Sequence, residues 1–174
     1  CKFCNFNATQ KDAGSIGLNR SVTINLEETV EAYKILSSEI RLVEGRIESG
    51  GFLTREAEAA VFSAFVEKIA SAASYTPDIL LHVEPLGRAD LRRLKDAGLS
   101  TVAYHLEVWD RENFQEVCPG KAKGLPYEQW LEAYLEAVDV FGVGNVGSAF
   151  VAGVTMIPPN GHKTWQEARD SLIE

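Results

Sequence analysis

The sequence lacks any apolar run long enough to cross a membrane, which takes about 20 mostly apolar residues. It also lacks an excess of basic residues, with 17 Lys and Arg against 25 Asp and Glu and a formal net charge of −8. A protein whose main partner is a phosphate backbone usually shows the opposite balance. No basic and then apolar leader precedes Cys1. We therefore expect a cytoplasmic protein that binds neither nucleic acid nor a membrane.

Cysteine is scarce, with three residues in a chain of 174, and this is too few for a disulfide framework at such a length. Two of the three form the sequence Cys1-Lys2-Phe3-Cys4, and the third, Cys118, lies far along the chain. A closely spaced pair in a reducing compartment indicates a metal or redox site. For Cys118, a structural or incidental role is the simpler interpretation.

Three interpretations of the closely spaced pair are open. A structural zinc ion needs four ligands, and the sequence has no second C-x-x-C. A thioredoxin-type redox pair lies between a strand and a helix, but residues 5–19 show no helical stripe. An iron–sulfur cluster held by three thiolates leaves one iron open, provided that another cysteine lies shortly before Cys1.

Length and composition indicate one globular domain of the α/β class. The chain is 45% hydrophobic and 24% charged, as expected of a domain that buries a full core. From Ile24 onward, strand-like and helix-like segments alternate, which is typical of a parallel sheet. This rhythm fits a partial or complete (β/α) barrel or an open doubly wound sheet. We expect a single domain over residues 1–174 that extends further at both ends.

Hydrophobic periodicity and turn residues place the individual elements. The predicted strands are 40–43, 79–84, 101–107 and 146–154. The first predicted helix follows Thr23 or Asn25, with Leu26, Val30 and Tyr33 inward. The second follows Thr54, with Val61, Phe65, Ile69 and Ala72 inward, and the third spans 88–97, with Leu91 and Leu94 inward. The fourth contains 131–138, and the last begins at a Thr164 and Glu167 capping box. A long polar loop is predicted over 108–126, and long loops in compact domains are often functional.

The ends of two neighbouring predicted strands are polar. One strand ends with His82 and Glu84, and the next ends with His105 and Glu107. The members of each pair are two residues apart and so face the same side of a strand. Ligands gather at the carboxyl ends of parallel strands, so these four side chains are candidates for one site. The alternative is that they bond to loop backbone.

Cys1-Lys2-Phe3-Cys4 resembles the second half of the C-x-x-x-C-x-(aromatic)-C loop of radical S-adenosylmethionine (radical SAM) enzymes, with Phe3 at the aromatic position. The resemblance implies a partial or complete (β/α) TIM-type barrel. It also implies a [4Fe–4S] cluster held by Cys1, Cys4 and a cysteine before them. Phe3 then belongs to the cofactor-binding loop, and the cofactor is S-adenosyl-L-methionine.

Further segments resemble this family in the order expected. Gly45, or Gly50 with Gly51 shortly beyond, stands where the family has a glycine-rich stretch that holds the methionine amino group. Residues 91–110 are similar to the helix and fourth strand of the biotin synthase-like branch.

In that branch, an acidic residue at the end of the fourth strand contacts the cofactor, which makes Glu107 the corresponding candidate, with His105 beside it. Lys123 stands where a basic residue pairs with the methionine carboxylate, and Lys121 competes for this role. Phe150 begins a segment that resembles the one packed near adenine.

The resemblance also implies a chemistry. Reductive cleavage of S-adenosylmethionine gives a 5′-deoxyadenosyl radical that abstracts hydrogen from a small-molecule or biosynthetic substrate. An electron donor such as flavodoxin or ferredoxin is then a partner. The protein supplies orientation and a dry pocket. The substrate and the final reaction are not specified by the fold.

Two other classes of function remain open from the residues. A non-catalytic iron–sulfur or zinc-binding module would use Cys1 and Cys4 for structure or electron transfer. A metal-dependent or acid–base barrel enzyme would instead use the strand-end residues, which are His82, Glu84, His105 and Glu107.

Overall fold

A computed structural model describes residues 25–40, 44–48, 55–72, 78–159 and 161–173. Several residues singled out in the sequence lie outside these ranges, so their predicted roles have no structural description: Cys1, Phe3, Cys4, Thr23, Gly50, Gly51 and Thr54.

Four parallel strands form one sheet in the order β1-β2-β3-β4. They are β1 (Glu44–Glu48), β2 (Asp78–His82), β3 (Thr101–Ala103) and β4 (Val146–Gly147). Each strand pairs in parallel with the next one along the chain. All the carboxyl ends therefore lie at the same edge of the sheet, and the predicted α/β class with a parallel sheet is confirmed.

Helices alternate with the strands. They are α1 (Leu26–Glu39), α2 (Arg55–Ala72), α3 (Arg88–Asp96), α4 (Arg111–Val117), α5 (Pro119–Gly124), α6 (Tyr127–Phe141) and α7 (Trp165–Ile173), with a short 3₁₀ helix at Val154–Met156. Contacts run in a row from α1 to α2, from α2 to α3 and from α3 to α6. None of the described helices is both long and apolar enough to span a bilayer.

The core lies between the sheet and these helices. Leu81 and Val102, which are register partners on β2 and β3, are fully buried. Leu91 and Leu94 from α3 are also fully buried, as the prediction for that helix required. Burial of each such side chain contributes about 1.5–3 kcal/mol. The strand ends are therefore held by a packed aliphatic layer beneath them.

Two predicted helix starts are confirmed in detail. The Asn25 side chain caps α1 by accepting a hydrogen bond from the backbone N–H of Glu28 at 3.1 Å. Before α7, the Thr164 hydroxyl accepts from the N–H of Glu167, whose carboxylate accepts in turn from the N–H of Thr164. This reciprocal pair is a capping box.

Of the first predicted strand, 40–43, only Ile40 lies among the described residues. Ile40 ends α1 and is half-exposed, whereas the strand runs over Glu44–Glu48. The apolar run at 40–43 was interpreted as a buried strand. The observed strand instead alternates between exposed and partly buried residues, because it lies at the edge of the described sheet.

The predicted polar loop over 108–126 is wrong, because this segment contains α4 and α5. The Asp110 carboxylate caps α4 by accepting from the N–H of Asn113 at 2.8 Å, and Pro119 occupies the first turn of α5. Phe114 and Val117 are buried. Short helices with one small apolar face are difficult to distinguish from charged loops.

The buried face of α2 agrees in part with the predicted one. Ile69 is buried, and Phe65 and Ala72 pack against the core, as predicted. Val61, however, is 46% exposed, and Phe62 and Val66 are buried instead. Apolar residues surround this helix on several sides, so periodicity alone does not choose among faces. The strands at 101–107 and 146–154 are likewise shorter than predicted, with an isolated bridge between Glu107 and Phe150 beyond their ends.

Candidate functional site

The candidate site lies at the carboxyl edge of the sheet. Glu48 and His82 are the last residues of β1 and β2, and they are register partners. His105 follows two residues after the end of β3. Three neighbouring strands therefore bring a carboxylate and two imidazoles to one place, which is where parallel sheets bind ligands.

Glu48, His82 and His105 form a hydrogen-bonded group that we call the imidazole cluster. The Nδ1 atom of His82 lies 2.9 Å from Oε1 of Glu48 and 2.7 Å from Nε2 of His105. The two rings meet edge to face, with centroids 4.3 Å apart. The structure thus brings together the histidines of the two predicted strand ends. Glu84, although part-buried, makes no hydrogen bond or ion pair with the described residues.

The electrostatics of the cluster keep His105 neutral. Burial lowers the pKa of His105, and the neighbouring His82 lowers it further. Glu107 and Glu48 oppose this shift, while Lys121 adds to it. An imidazole whose pKa is lowered from its ordinary value of 6.5 is unprotonated at neutral pH.

A second group, the Glu107–Lys121 pair, lies beside the cluster. Nζ of Lys121 is 3.1 Å from Oε1 of Glu107, and the two side chains are only 17% and 19% exposed. Lys121 also donates to the backbone carbonyl of His105 and lies over the ring of Trp130 at 5.3 Å from the centroid. A mostly buried ammonium group is thus held by a carboxylate, a carbonyl and an aromatic face.

Glu107 has a left-handed backbone, with φ of 71°. Such a conformation costs about 1–3 kcal/mol for a residue with a side chain, and it persists only where the surroundings enforce it. Here the N–H of Glu107 donates to Ala149 at 3.0 Å and its carbonyl accepts from Val151 at 2.9 Å. Enforced strain of this kind clusters at functional sites.

An aromatic pair continues the same edge. The rings of Trp109 and Phe150 meet edge to face with centroids 5.9 Å apart, and Phe150 is 40% exposed. The backbone of Phe150 forms the isolated bridge with Glu107. A partly exposed aromatic residue is therefore the backbone neighbour of the strained residue.

The remaining predicted residues lie elsewhere. Lys123 is exposed, and it lines a cavity of about 400 Å³ with residues of α4, α5 and α6 that contains none of the strand-end side chains. Gly45 lies within β1, and the space beside its Cα is open. Cys118 is fully buried in the core, and burial raises the pKa of its thiol. This agrees with a structural cysteine.

The described residues hold no group of three or more His, Cys, Asp or Glu side chains arranged to bind a metal ion. The predicted cluster ligands, Cys1 and Cys4, lie outside those residues. Sequence reasoning missed Glu48 because the strand was placed too early. The alternation in Glu44-Gly45-Arg46-Ile47-Glu48 is the signal that locates it.

The parallel sheet with its helices is a fold seen in solved proteins. Two solved structures of HydG share it. One, described as a maturase of the [FeFe]-hydrogenase, has a TM-score of 0.64 and 17% identity, and the match covers 79% of this chain and 30% of that one. HydG from Carboxydothermus hydrogenoformans has a TM-score of 0.60 and 19% identity, with 74% and 29% covered.

A curated relative gives sequence-level similarity. The chain is 36% identical over 62 residues to bacteriochlorophyllide c C-7(1)-hydroxylase of Chlorobaculum limnaeum, a match that covers 36% of this chain and 15% of that enzyme. No family model matches the chain. The chain spans less than a third of the length of each of these relatives. The resemblance to radical SAM enzymes is confirmed, while the biotin synthase-like branch stays a prediction.

Proposed function

We propose that the chain is the barrel core of a radical SAM enzyme that acts on a small-molecule or biosynthetic substrate. The strained Glu107, held against Lys121 at the carboxyl edge of a HydG-like sheet, carries this proposal. Strain and a mostly buried ion pair together are difficult to explain by stability alone. The named relatives are a hydroxylase and a hydrogenase maturase.

The donor set fits S-adenosylmethionine, which offers hydroxyl, carboxylate and aromatic groups. The Glu107 carboxylate would accept from ribose hydroxyls, and the Phe150 ring would pack against adenine. Lys121 would pair with the methionine carboxylate. We assign this role to Lys121 rather than to Lys123 because Lys121 contacts Glu107, whereas Lys123 is exposed on α5.

Cys1 and Cys4 would hold the [4Fe–4S] cluster, with Phe3 between them, and Gly45 or the Gly50-Gly51 pair would lie along the methionine amino group. When bound, the cluster and S-adenosylmethionine supply radical hydrogen abstraction, with the electron delivered by a donor such as flavodoxin or ferredoxin. The chain itself binds, orients and shields the reacting groups.

Anaerobic reconstitution with iron and sulfide tests the proposal, on a polypeptide that includes the cysteine expected before Cys1, followed by addition of reduced flavodoxin and S-adenosylmethionine. We expect a cluster spectrum that changes on addition of S-adenosylmethionine, and formation of 5′-deoxyadenosine. Cys4→Ala should abolish both, whereas Cys118→Ala, which alters a buried core thiol, should retain the cluster. Cofactor cleavage that survives Cys4→Ala would contradict the assignment.

The imidazole cluster favours one second candidate, an acid–base barrel enzyme that uses strand-end residues without a cofactor. That enzyme would turn over its substrate in air and without iron. The same reconstitution distinguishes the two, because a protein that takes up no iron and leaves S-adenosylmethionine unchanged supports the second candidate.

A further inference from the structure

The imidazole cluster contains more hydrogen-bond acceptors than protons at its centre. Nδ1 of His82 faces both the Glu48 carboxylate at 2.9 Å and Nε2 of His105 at 2.7 Å. A neutral imidazole carries one proton, on either of its two nitrogens. If Nδ1 of His82 carried a lone pair, two acceptors, this nitrogen and the Glu48 carboxylate oxygen, would lie 2.9 Å apart without a proton between them. Nδ1 therefore carries the proton.

This assignment fixes the other nitrogen of His82. With its proton on Nδ1 and directed to a carboxylate, neutral His82 has its lone pair on Nε2. Nε2 makes no hydrogen bond to any described residue, and the side chain keeps 14% exposure. A carboxylate that orients an imidazole and leaves Nε2 open is the arrangement of a general base.

His105 is the secondary partner in this arrangement. Its Nε2 accepts from His82, so its own proton is on Nδ1, an atom that is buried with no hydrogen-bond partner among the described residues. An unsatisfied buried donor costs about 1–3 kcal/mol. Since burial lowers the pKa of His105, this ring stays neutral and does not compete with His82 for a second proton. The cluster is not optimised for stability.

A metal site is a poorer explanation of the same residues. Both partners lie at hydrogen-bond distance from a single nitrogen, which leaves no space for an ion between the three atoms. The part of the chain that the structure describes contains no His, Cys, Asp and Glu group of metal-binding geometry.

We propose that Glu48 and His82 form a general-base dyad whose open Nε2 accepts a proton from a hydroxyl or amino group of the substrate. This rests on the proposed function, and it specifies the substrate class as a compound with such a group beside the reacting carbon. The O–H or N–H bond of the substrate breaks, its electron pair stays on oxygen or nitrogen, and a new N–H bond forms on His82.

The charge produced in this step is compensated within the cluster. Glu48 stabilises the imidazolium through the Nδ1–H bond, and its side chain is 60% exposed, so the proton can pass to water. The other charged groups near the histidines are Glu107 and Lys121. These two are paired with each other, so the carboxylate that contacts His82 is that of Glu48.

Acylation by diethyl pyrocarbonate tests the dyad without substrate or cofactor, because this reagent attacks the free lone pair of an unprotonated imidazole. Site-resolved mass spectrometry of the intact protein should show acylation at His82 and little at His105, because the Nε2 lone pair of His105 is engaged by His82 and its Nδ1 is buried. Glu48→Gln should slow acylation of His82 by about three- to tenfold, since a charge-assisted hydrogen bond is replaced by a neutral one. Glu44→Gln, on the same strand but paired with Arg46, is the matched control and should leave the rate unchanged.

Nitrogen-15 NMR of histidine-labelled protein supplies the second readout. His82 should show a protonated Nδ1 and an unprotonated Nε2, with a downfield Nδ1 proton whose resonance moves upfield in Glu48→Gln. With three histidines in the chain, single His→Gln variants assign each signal. An unchanged acylation rate in Glu48→Gln, or an Nε2-protonated His82, would overturn the dyad.

Iron content and S-adenosylmethionine binding, measured in His82→Gln, separate the two proposals. Retention of both supports a substrate role for His82, and loss of both would overturn it by making His82 part of the cofactor site. If the wild-type protein assembles no cluster, the proposed function fails, while acylation and NMR still decide the dyad.

Discussion

The imidazole cluster and the Glu107–Lys121 pair lie at the same edge of the sheet, yet their hydrogen bonding differs. Lys121 has a carboxylate, a carbonyl and an aromatic face as partners. In the imidazole cluster, two acceptors share one N–H of His82, and the buried Nδ1 of His105 has no partner among the described residues. We call the Glu107–Lys121 pair saturated because each of its charges has a partner. We call the imidazole cluster unsaturated because one buried donor has no partner among the described residues.

This difference separates binding from reaction. A saturated and largely buried group is rigid, and rigid groups orient a ligand at low entropic cost. An unsaturated group keeps a lone pair available and can exchange a proton at little structural cost. We therefore expect disruption of the Glu107–Lys121 pair to affect stability and cofactor binding, and disruption of the imidazole cluster to affect protonation.

Lys121→Met should have the largest effect. The substitution leaves the Glu107 carboxylate, 19% exposed, without its counter-ion on a strained backbone. We expect a loss of about 2 kcal/mol in the free energy of unfolding, less than for a fully buried pair because some solvent screening remains. Urea denaturation measures this loss, and S-adenosylmethionine binding should be lost with it.

Lys123→Met is the matched control, since Lys123 is two residues away on the same helix and exposed. It should leave the free energy of unfolding within about 0.5 kcal/mol of the wild type. Equal losses in the two variants would show that the contacts of Lys121 add nothing, and the contrast between the two groups would not hold.

Much of the fold could be predicted from the sequence because local signals coincided with tertiary ones. The Thr164 and Glu167 capping box, and the inward leucines of α3, depend on nearest neighbours along one helix. The wrong loop over 108–126 shows the limit. There, Phe114 and Val117 are buried by contacts with residues from other parts of the chain. The sequence of the segment alone does not show those contacts.

The location of the candidate site could be predicted from the sequence, although the partners of its side chains could not. Strand ends indicated His82 and His105, because the parallel edge follows from strand order alone. The choice of Lys121 over Lys123 depends on which side of a six-residue helix faces Glu107. Glu48 required the register of β1 against β2, and register is a property of the sheet rather than of the segment.

A smaller effect, on the pH dependence of stability, is expected from His105 in the imidazole cluster. Because the pKa of folded His105 lies below its ordinary value of 6.5, the unfolded chain binds more protons in the window between the two values. Stability is then complete above pH 6.5 and falls as the pH decreases through the folded pKa. Urea unfolding between about pH 7.5 and pH 5.5 should show this slope.

His105→Gln should flatten that slope, whereas His162→Gln, which alters a histidine outside the cluster, should preserve it. A slope that persists unchanged in His105→Gln would assign the proton uptake to other groups. Proton binding by His105 would then not contribute to the pH dependence of stability, and the imidazole cluster would not differ from the Glu107–Lys121 pair in this respect.

Glu48→Gln should have the smallest effect on stability. Its carboxylate is 60% exposed, and exposed ion pairs contribute about 0–1 kcal/mol. The amide oxygen can still accept the Nδ1–H bond, so we expect a change of at most about 0.5 kcal/mol in the free energy of unfolding. Lys121→Met and Glu48→Gln each remove one charge at the same edge of the sheet. We expect the loss in the free energy of unfolding to be about four times larger for Lys121→Met, because the Glu107–Lys121 pair is more buried than Glu48. A loss in Glu48→Gln as large as that in Lys121→Met would show instead that Glu48 holds the fold together, and its exposure would then be a poor guide to its role.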